Sequence, residues 1–230
     1  MPGPDIGAVV VVVPACNEAA TVRRCLDSLR CAADLLPASI HLDIVVVANG
    51  CADRTAEIAH ELGATVLVNA VANVGLARSS GCTWALRRHT GRWDRTWLAT
   101  TDADSVVPSD WLSAQIALAD GGADVVVGTV ALEPRESRRH QAWQKQYDAD
   151  AARGSRHGHV HGANLGLRAD VYQAAGGFSP LPSGEDADRV SRLSTSGVPT
   201  VWATHLPVTT SARHDPRAAD GVGDDLADSV

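Results

Sequence analysis

The fold class of this chain is decided by residues 8–18, which read AVVVVVPACNE. Five consecutive valines form an unbroken β-branched run, which is typical of a strand that is covered on both faces in a parallel sheet. Pro14 ends this predicted strand, and Asn17 and Glu18 begin a helical pattern that continues to Leu29. A buried strand that runs directly into a helix is the repeating unit of a parallel α/β sheet.

The same unit recurs along the chain. Further strands are predicted at 42–47, 64–68, 96–101, 124–130, 163–167 and 198–203. Helices are predicted at 56–62, 76–88, 109–119, 133–153 and 170–175, and another begins at Glu185. Strands that alternate with helices at this spacing predict one α/β domain with a doubly wound, mainly parallel sheet.

Length, charge and cysteine content exclude several classes of protein. The 230 residues suffice for one α/β domain, and the net charge of −7 comes with no basic patch, so no nucleic-acid partner is expected. The five cysteines include no Cys-x-x-Cys pair, which favours a reduced, cytoplasmic protein. The apolar stretch 6–13 is too short for a membrane span and lacks the features of a signal peptide, so a soluble protein is expected.

Two carboxylates, those of Asp102 and Asp104, follow the apolar stretch 97–99 at the end of a predicted strand. In an extended chain they would point to the same side, with their Cα atoms roughly 7 Å apart. Two like charges this close repel each other unless a cation lies nearby, and hard oxygen ligands suit Mg²⁺ or Mn²⁺. The alternative interpretation is a polar turn that only ends the strand.

Four polar clusters lie at the carboxyl ends of predicted strands, where parallel α/β sheets bind their ligands. They occupy residues 14–18, 49–53, 73–78 and 102–104. Their order, spacing and strand context resemble the motifs of the family 2 glycosyltransferases of GT-A fold, and the resemblance covers about residues 8–205. Those motifs are Pro-x-x-Asn-Glu, a polar Asp/Asn-Gly turn, an Arg-bearing helix, Asp-x-Asp and a later Glu-Asp, which is Glu185-Asp186 here.

The resemblance implies a transferase with a single GT-A domain over residues 1–230. Its nucleotide-sugar-binding half would lie at 1–130 and its acceptor-binding half at 131–205, followed by a mobile segment at 206–230. The implied donor is a nucleoside-diphosphate sugar, and the implied acceptor is a hydroxyl on a small molecule, a glycan or a lipid-linked molecule. A homodimer is compatible with the same reasoning, and no membrane span is expected.

The implied donor site consists of Pro14, Asn17, Glu18, Asn49, Arg78, Asp102, Ala103 and Asp104. Glu18 would accept hydrogen bonds from ribose hydroxyls or a base N–H, and stabilisation of the first helical turn is its alternative, compatible role. Asn49 stands where the family commonly has an acid that reads the base, which leaves the identity of the base open. Arg78 would reach the base or a phosphate, whereas Asp53 is interpreted as a helix N-cap.

The resemblance also implies a divalent cation. Asp102 and Asp104 would bind the Mg²⁺ or Mn²⁺ ion that bridges the diphosphate, and this ion would neutralise charge on the leaving nucleoside diphosphate. A third metal ligand is assigned to His205 or His214.

On the acceptor side, the resemblance implies that Asp186 is the general base of an inverting transfer and that Glu185 orients the groups around it. Acids at a helix start, stabilised by the helix dipole, are the alternative interpretation. Sugar and acceptor contacts are assigned to His161, Gly162, Ala163, Asn164 and Trp143. The rival functions are a non-catalytic nucleotide-sugar-binding module and a sugar-nucleotide pyrophosphorylase, although the chain lacks the Gly-rich first loop that the latter needs.

Overall fold

The structure, a computed structural model, describes residues 5–134, 138–152 and 159–211, with the side chains of 138–140 excepted. In these residues the strands are β1 (Ala8–Ala15), β2 (His41–Asn49), β3 (Thr65–Asn69), β4 (Thr96–Thr100), β5 (Val125–Leu132), β6 (Leu165–Arg168) and β7 (Thr200–Thr210). The α-helices are α1 (Val22–Ala33), α2 (Thr55–Glu61), α3 (Val74–Arg88), α4 (Trp111–Asp120), α5 (Arg138–Ala151), α6 (Ala169–Ala174) and α7 (Glu185–Thr195). Short 3₁₀-helices span Trp93–Arg95 and Gly162–Asn164.

The strands form one sheet in the order β3-β2-β1-β4-β6-β5-β7. Strand β1 pairs in parallel with both β2 and β4, β2 pairs in parallel with β3, and β5 pairs in parallel with β7. The predicted mainly parallel sheet is therefore confirmed. One strand departs from it, because β6 lies antiparallel to both of its neighbours, β4 and β5.

Helices cover both faces of the sheet, and the valine run explains why. Along β1, Val9, Val11 and Val13 pack in one core with α1, α2 and α4. Val10 and Val12 pack in a second core with α3, α6 and α7. Alternate residues of a strand point to opposite faces, so a strand between two helical layers needs an apolar residue at every position.

Among the element boundaries that differ from the sequence prediction are the start of α1 and the end of β7. The helical pattern begins at Asn17, but α1 begins only at Val22, because the φ of Asn17 is 54° and lies outside the α-helical region. The last strand is predicted to end at Ala203, but β7 continues to Thr210. Residues 206–210 thus belong to the sheet rather than to the predicted mobile segment.

Within the described part of the chain, no helix has the length and apolar character needed to cross a membrane. All five cysteines lie in this part and carry free thiols.

Candidate active site

The aspartate pair lies in a turn that directly follows β4. The strand ends at Thr100, and the amide of Ser105 donates to the carbonyl of Asp102 over 3.0 Å, which closes a turn around Ala103. The pair thus follows the end of the strand, as predicted, but the extended geometry used to estimate the spacing of the two carboxylates does not apply, because the chain has already turned there. The polar-turn interpretation describes the backbone correctly, and the surroundings of the turn decide whether it also binds a ligand.

The turn is tied to the end of the sheet on both sides. The Thr101 amide donates to the Val12 carbonyl in β1 over 3.3 Å. The Ser105 hydroxyl donates to Thr210 Oγ1 in β7 over 3.0 Å, and Val106 forms a bridge with Thr209. The last residues of β7, beyond the strand predicted from sequence, therefore fix the position of the aspartate turn.

Arg78 lies at the centre of the site and joins three elements. Its side chain comes from α3 and is 4% exposed. One terminal nitrogen pairs with Asp102 at 2.5 Å, and the other pairs with Glu185 at the start of α7. The guanidinium neutralises two carboxylates of the protein, because burial requires a charged group to be paired. Its contact with a base or phosphate stays a prediction.

Gly162 packs directly on this guanidinium. A β-carbon at position 162 would overlap the Arg78 side chain, so this approach requires glycine. The Gly162 amide donates to Asp186 Oδ2 over 2.5 Å, and its carbonyl accepts from the Thr100 hydroxyl over 2.6 Å. Asp186 Oδ1 also accepts from the Ala187 amide over 2.7 Å. The Asp186 carboxylate is thus held in one orientation by two backbone donors.

Several carboxylates act on one another at this edge of the sheet. Partial burial raises the pKa of Asp102 to about 6; the Arg78 guanidinium opposes this shift, and the charges of Asp104, Asp186 and Glu18 add to it. The same crowding appears in α1, where burial and then Asp102, Asp104 and Glu18 raise the pKa of the Cys25 thiol. Asp102 is thus influenced by three further acids and by one guanidinium, which it shares with Glu185, and this excess of negative charge suits a cation.

Glu18 is buried in the loop after β1, and hydrogen bonds connect this loop to the loop after β2. Its carboxylate accepts from the Thr21 hydroxyl over 2.6 Å, and its amide donates to Thr55 Oγ1 over 2.8 Å. Asp53 bonds both loops, since it accepts from the Thr55 amide and from the Ala19 amide, each at 3.0 Å. The N-cap residue of α2 is Arg54 rather than Asp53 as predicted. Asp53 lies one residue earlier, where it bonds the first residue of the helix and fixes the loop that carries Glu18.

Asn17 and Pro14 belong to the same region. Asn17 Oδ1 accepts from the Ala52 amide over 2.8 Å, which makes a second link between the two loops. Pro14 does not end the strand as predicted, because it is buried within β1 opposite Val47 and the strand continues to Ala15.

Asn49, the predicted base contact, is 4% exposed at the end of β2. Its Oδ1 accepts from the Asn73 amide over 3.2 Å. Asn73 in turn caps α3 by accepting from the Leu76 amide over 2.8 Å, and donates to the Pro180 carbonyl over 3.1 Å. Asn49 thus positions the helix that carries Arg78.

Asn164 has a structural role in place of the predicted sugar contact. It is 2% exposed, and its Oδ1 accepts from Trp111 Nε1 over 2.9 Å. Its amide nitrogen donates to the carbonyls of Thr129 and Leu206 over 2.8 and 2.7 Å. The side chain connects α4, β5 and β7, which leaves its polar atoms occupied within the protein.

An aromatic cluster lies beside Gly162 and contains the other predicted acceptor contacts. Trp143 stacks on Tyr147 with ring centroids 4.9 Å apart, and the His161 ring lies 5.7 Å from Tyr147. The Tyr147 hydroxyl accepts from the Val130 amide over 3.2 Å, and Ala163 packs in the same cluster. The i, i+4 spacing of Trp143 and Tyr147 indicates this contact in the sequence, whereas nothing local indicates the hydroxyl bond.

The predicted third metal ligand is not placed with the aspartates. His205 is exposed on β7, and across the described ranges no set of three metal-ligating groups includes it together with Asp102 or Asp104. His214 lies outside the described residues. The two aspartates still fit a magnesium or manganese ion, since such ions are commonly held by one or two carboxylates together with substrate phosphates and water.

Comparison with known proteins gives a consistent result. A family model described as glycosyl transferase family 2 matches residues 10–175. Glycosyltransferase AglE of Haloferax volcanii is 25% identical over 213 residues, which are 85% of this chain and 64% of AglE. The mannosyltransferase PcManGT from Pyrobaculum calidifontis, solved with GDP-Man and Mn²⁺, has a TM-score of 0.67 at 19% identity, covering 93% of this chain and 59% of its own. S. aureus TarS, solved with UDP, has a TM-score of 0.65 at 16% identity, covering 90% of this chain and 61% of its own.

The structural likeness shows that the fold is the GT-A fold, as predicted. The chain spans about three fifths of the length of these relatives.

Proposed function

The chain belongs to glycosyl transferase family 2 and is a glycosyltransferase, and from this premise we propose that it transfers one sugar with inversion from a nucleoside-diphosphate sugar to an acceptor hydroxyl. In this proposal the transfer depends on a divalent cation, and Asp186 is the general base. The observation that carries it is the bridge that Arg78 makes between Asp102 and Glu185, the neighbour of Asp186.

This bridge supports the proposal because it brings together the two chemical parts of such a reaction. Asp102 belongs to the turn proposed to bind the donor diphosphate, and Asp186 follows Glu185 on the first turn of α7. Gly162 adds a second connection, since its amide bonds Asp186 and its carbonyl bonds Thr100 next to the aspartate turn. A proton acceptor and a diphosphate site on the two sides of one guanidinium suit displacement at an anomeric carbon.

On the donor side, Asp102 and Asp104 would hold Mg²⁺ or Mn²⁺ at the diphosphate. When bound, such an ion supplies Lewis-acid stabilisation of the charge on the leaving group. The buried carboxylate of Glu18 would accept hydrogen bonds from the ribose. The nucleotide sugars with which PcManGT and TarS were solved, GDP-Man and UDP-GlcNAc, support a nucleotide-sugar donor and leave its base and sugar open.

On the acceptor side, Asp186 would take the proton from the attacking hydroxyl. Each carboxylate oxygen already accepts one backbone N–H, which fixes the orientation of the group, and each retains a further lone pair for the hydroxyl. Glu185 would act as a positioning residue through its ion pair with Arg78. The aromatic cluster beside Gly162 supports an acceptor contact at Trp143 and His161.

The free thiols of the cysteines support the expected reducing, cytoplasmic setting.

The test is a comparison of the wild type with Asp186→Asn across a panel of nucleotide sugars and Mn²⁺. Released nucleoside diphosphate measures turnover, and calorimetry measures nucleoside-diphosphate binding. We expect Asp186→Asn to reduce turnover by about 10²–10⁴-fold, the usual contribution of a general base, with little change in binding.

Asp188→Asn is the matched control. It makes the same substitution on the same helix, but its carboxylate bonds Ser179 and Arg192 rather than groups of the site. Equal turnover by the wild type and Asp186→Asn would exclude the assigned base. A wild type that binds nucleotide sugars without any release of diphosphate would instead be a binding module.

A further inference from the structure

Two histidines and an aspartate converge at the opposite end of the sheet from the candidate active site. His41 and Asp43 lie two residues apart at the start of β2, and His89 follows the last residue of α3. The active-site loops follow the carboxyl ends of the strands, such as Asn49 at the other end of β2. The three side chains are therefore not part of the nucleotide-sugar site.

The three side chains are close enough to share one ion. Asp43 Oδ2 lies 3.0 Å from His89 Nε2 and 3.2 Å from His41 Nε2. One ligand atom from each residue lies within 4.8 Å of the other two, and the imidazole centroids are 5.8 Å apart. Bonds of 2.0–2.2 Å in a tetrahedral zinc site separate the ligand atoms by roughly 3.4 Å, so small side-chain rotations suffice.

The backbone already fixes two of the three ligands. Alternation along β2 puts His41 and Asp43 on the same side of the strand. The His89 amide bonds the Ala85 carbonyl at the end of α3, so this imidazole lies at the negative end of a 15-residue helix, which favours a cation. The side chains of His89 and Asp43 are 12% and 16% exposed, whereas that of His41 is 54% exposed and open to solvent.

The chemistry of the ligands selects the class of ion. Two imidazole nitrogens and one carboxylate oxygen converge here, whereas Mg²⁺ and Ca²⁺ prefer oxygen ligands alone. Imidazole nitrogens instead form directional bonds with borderline ions such as Zn²⁺ and Ni²⁺.

We propose that His41, Asp43 and His89 form a zinc-type metal site that connects the amino end of β2 to the carboxyl end of α3. Water completes the coordination, so the ion has three protein ligands. An ion here links segments that are 46 residues apart at Asp43 and His89, and stabilises the folded state because the unfolded chain does not bring them together. This site is independent of sugar transfer.

The test measures thermal unfolding of the full chain with Zn²⁺ and, separately, with Mg²⁺. At a hundredfold excess of Zn²⁺ over its dissociation constant we expect the melting temperature of the wild type to rise by roughly 5–10 °C. His41→Ala should lose most of this rise, and because His41 is exposed the variant should fold normally without metal. Asp43→Asn, which keeps the shape of the side chain, should lose it too.

Two controls separate this site from others. His60→Ala removes another exposed histidine, on α2, and should keep the full zinc effect. Asp104→Asn alters the candidate active-site turn and should also keep it. The proposal is overturned if Zn²⁺ raises the melting temperature of His41→Ala as much as that of His60→Ala, or if Zn²⁺ does not stabilise the wild type. The cluster would then be only an ion pair in which Asp43 bonds two imidazoles.

Discussion

The loops on the proposed donor side and the loop on the proposed acceptor side of the candidate active site are held in different ways. The donor loops after β1 and β2 are joined by side chains, because Asn17 accepts from the Ala52 amide and Asp53 from the Ala19 amide. The acceptor loop at Gly162 is held by its backbone, and it reaches its position only because residue 162 has no side chain. The donor loops depend on particular side chains, whereas the acceptor loop depends on the lack of one.

Arg78 belongs to both regions. Its guanidinium bonds Asp102 on the donor side and Glu185 on the acceptor side, and Gly162 packs on its surface. The two halves of the site are therefore coupled through a buried charge. Substitution of Arg78 should therefore damage both halves, and other substitutions should separate them.

The largest effect is expected for Arg78→Met. Removal of one partner from a buried ion pair leaves Glu185 charged and unpaired, which should lower the free energy of unfolding by about 3–5 kcal/mol and abolish transfer. Urea denaturation measures the loss. The double variant Arg78→Met/Glu185→Leu should recover part of the stability without recovering transfer.

The control for Arg78 is the surface pair of Arg24 and Glu133, whose side chains are 62% and 25% exposed. Arg24→Met should cost at most about 1 kcal/mol, because water screens such a pair. A similarly small cost for Arg78→Met would mean that the guanidinium does not hold the two halves together.

The next effect concerns Asn164, and it tests the structural role that replaces the predicted sugar contact. Asn164→Ala leaves Trp111 Nε1 and two carbonyls without their partner, which should lower the free energy of unfolding by about 2–4 kcal/mol. The Michaelis constant for the donor should not change in the protein that remains folded. His161→Ala is the contrasting variant, for which we expect reduced turnover and little loss of stability. A changed Michaelis constant for the donor in Asn164→Ala would mean that Asn164 contacts the sugar after all.

Sequence reasoning predicts the fold well because the signals for it are local. The valine run of β1 requires apolar cover on both faces, and the structure provides it. The antiparallel direction of β6 and the extension of β7 to Thr210 could not be predicted, because both depend on pairing with distant strands. Val106, for example, pairs with Thr209 across more than a hundred residues.

The residues of the candidate site were easier to find than their contacts. Asp102, Arg78 and Glu185 stand out by type and position in the sequence. Their bonds join α3, the turn after β4 and α7, and no periodicity indicates a contact between segments so far apart in the chain. For the same reason an asparagine that bonds sugar and one that bonds carbonyls look alike in the sequence, so the sequence does not indicate that Asn164 bonds Trp111 and two carbonyls.

A smaller effect is expected for Gly162→Ala, which tests the backbone side of the comparison. The added methyl overlaps the Arg78 guanidinium and should cost about 1–3 kcal/mol, the usual range for an overpacked site. Turnover should fall further than donor binding, since the amide that orients Asp186 must move. Gly7→Ala is the matched control, because a β-carbon there meets only ordinary van der Waals contacts; equal turnover by the two variants would contradict the close packing.

The smallest effect is the pH dependence of Mn²⁺ binding. The ordinary pKa of Asp102, 3.8, is raised to about 6 in the folded chain, first by partial burial and further by neighbouring acids, against the opposing effect of Arg78. The stability that the bound proton contributes is thus complete below the ordinary value and lost as pH rises through about 6. Mn²⁺ competes with that proton, so its affinity should rise about tenfold per pH unit up to about pH 6 and then level off. Calorimetry of Mn²⁺ binding to the wild type and to Asp102→Asn at several pH values measures this dependence. The variant should bind Mn²⁺ weakly, with an affinity that does not change with pH. A wild-type affinity that does not change with pH would mean that Asp102 is not a metal ligand.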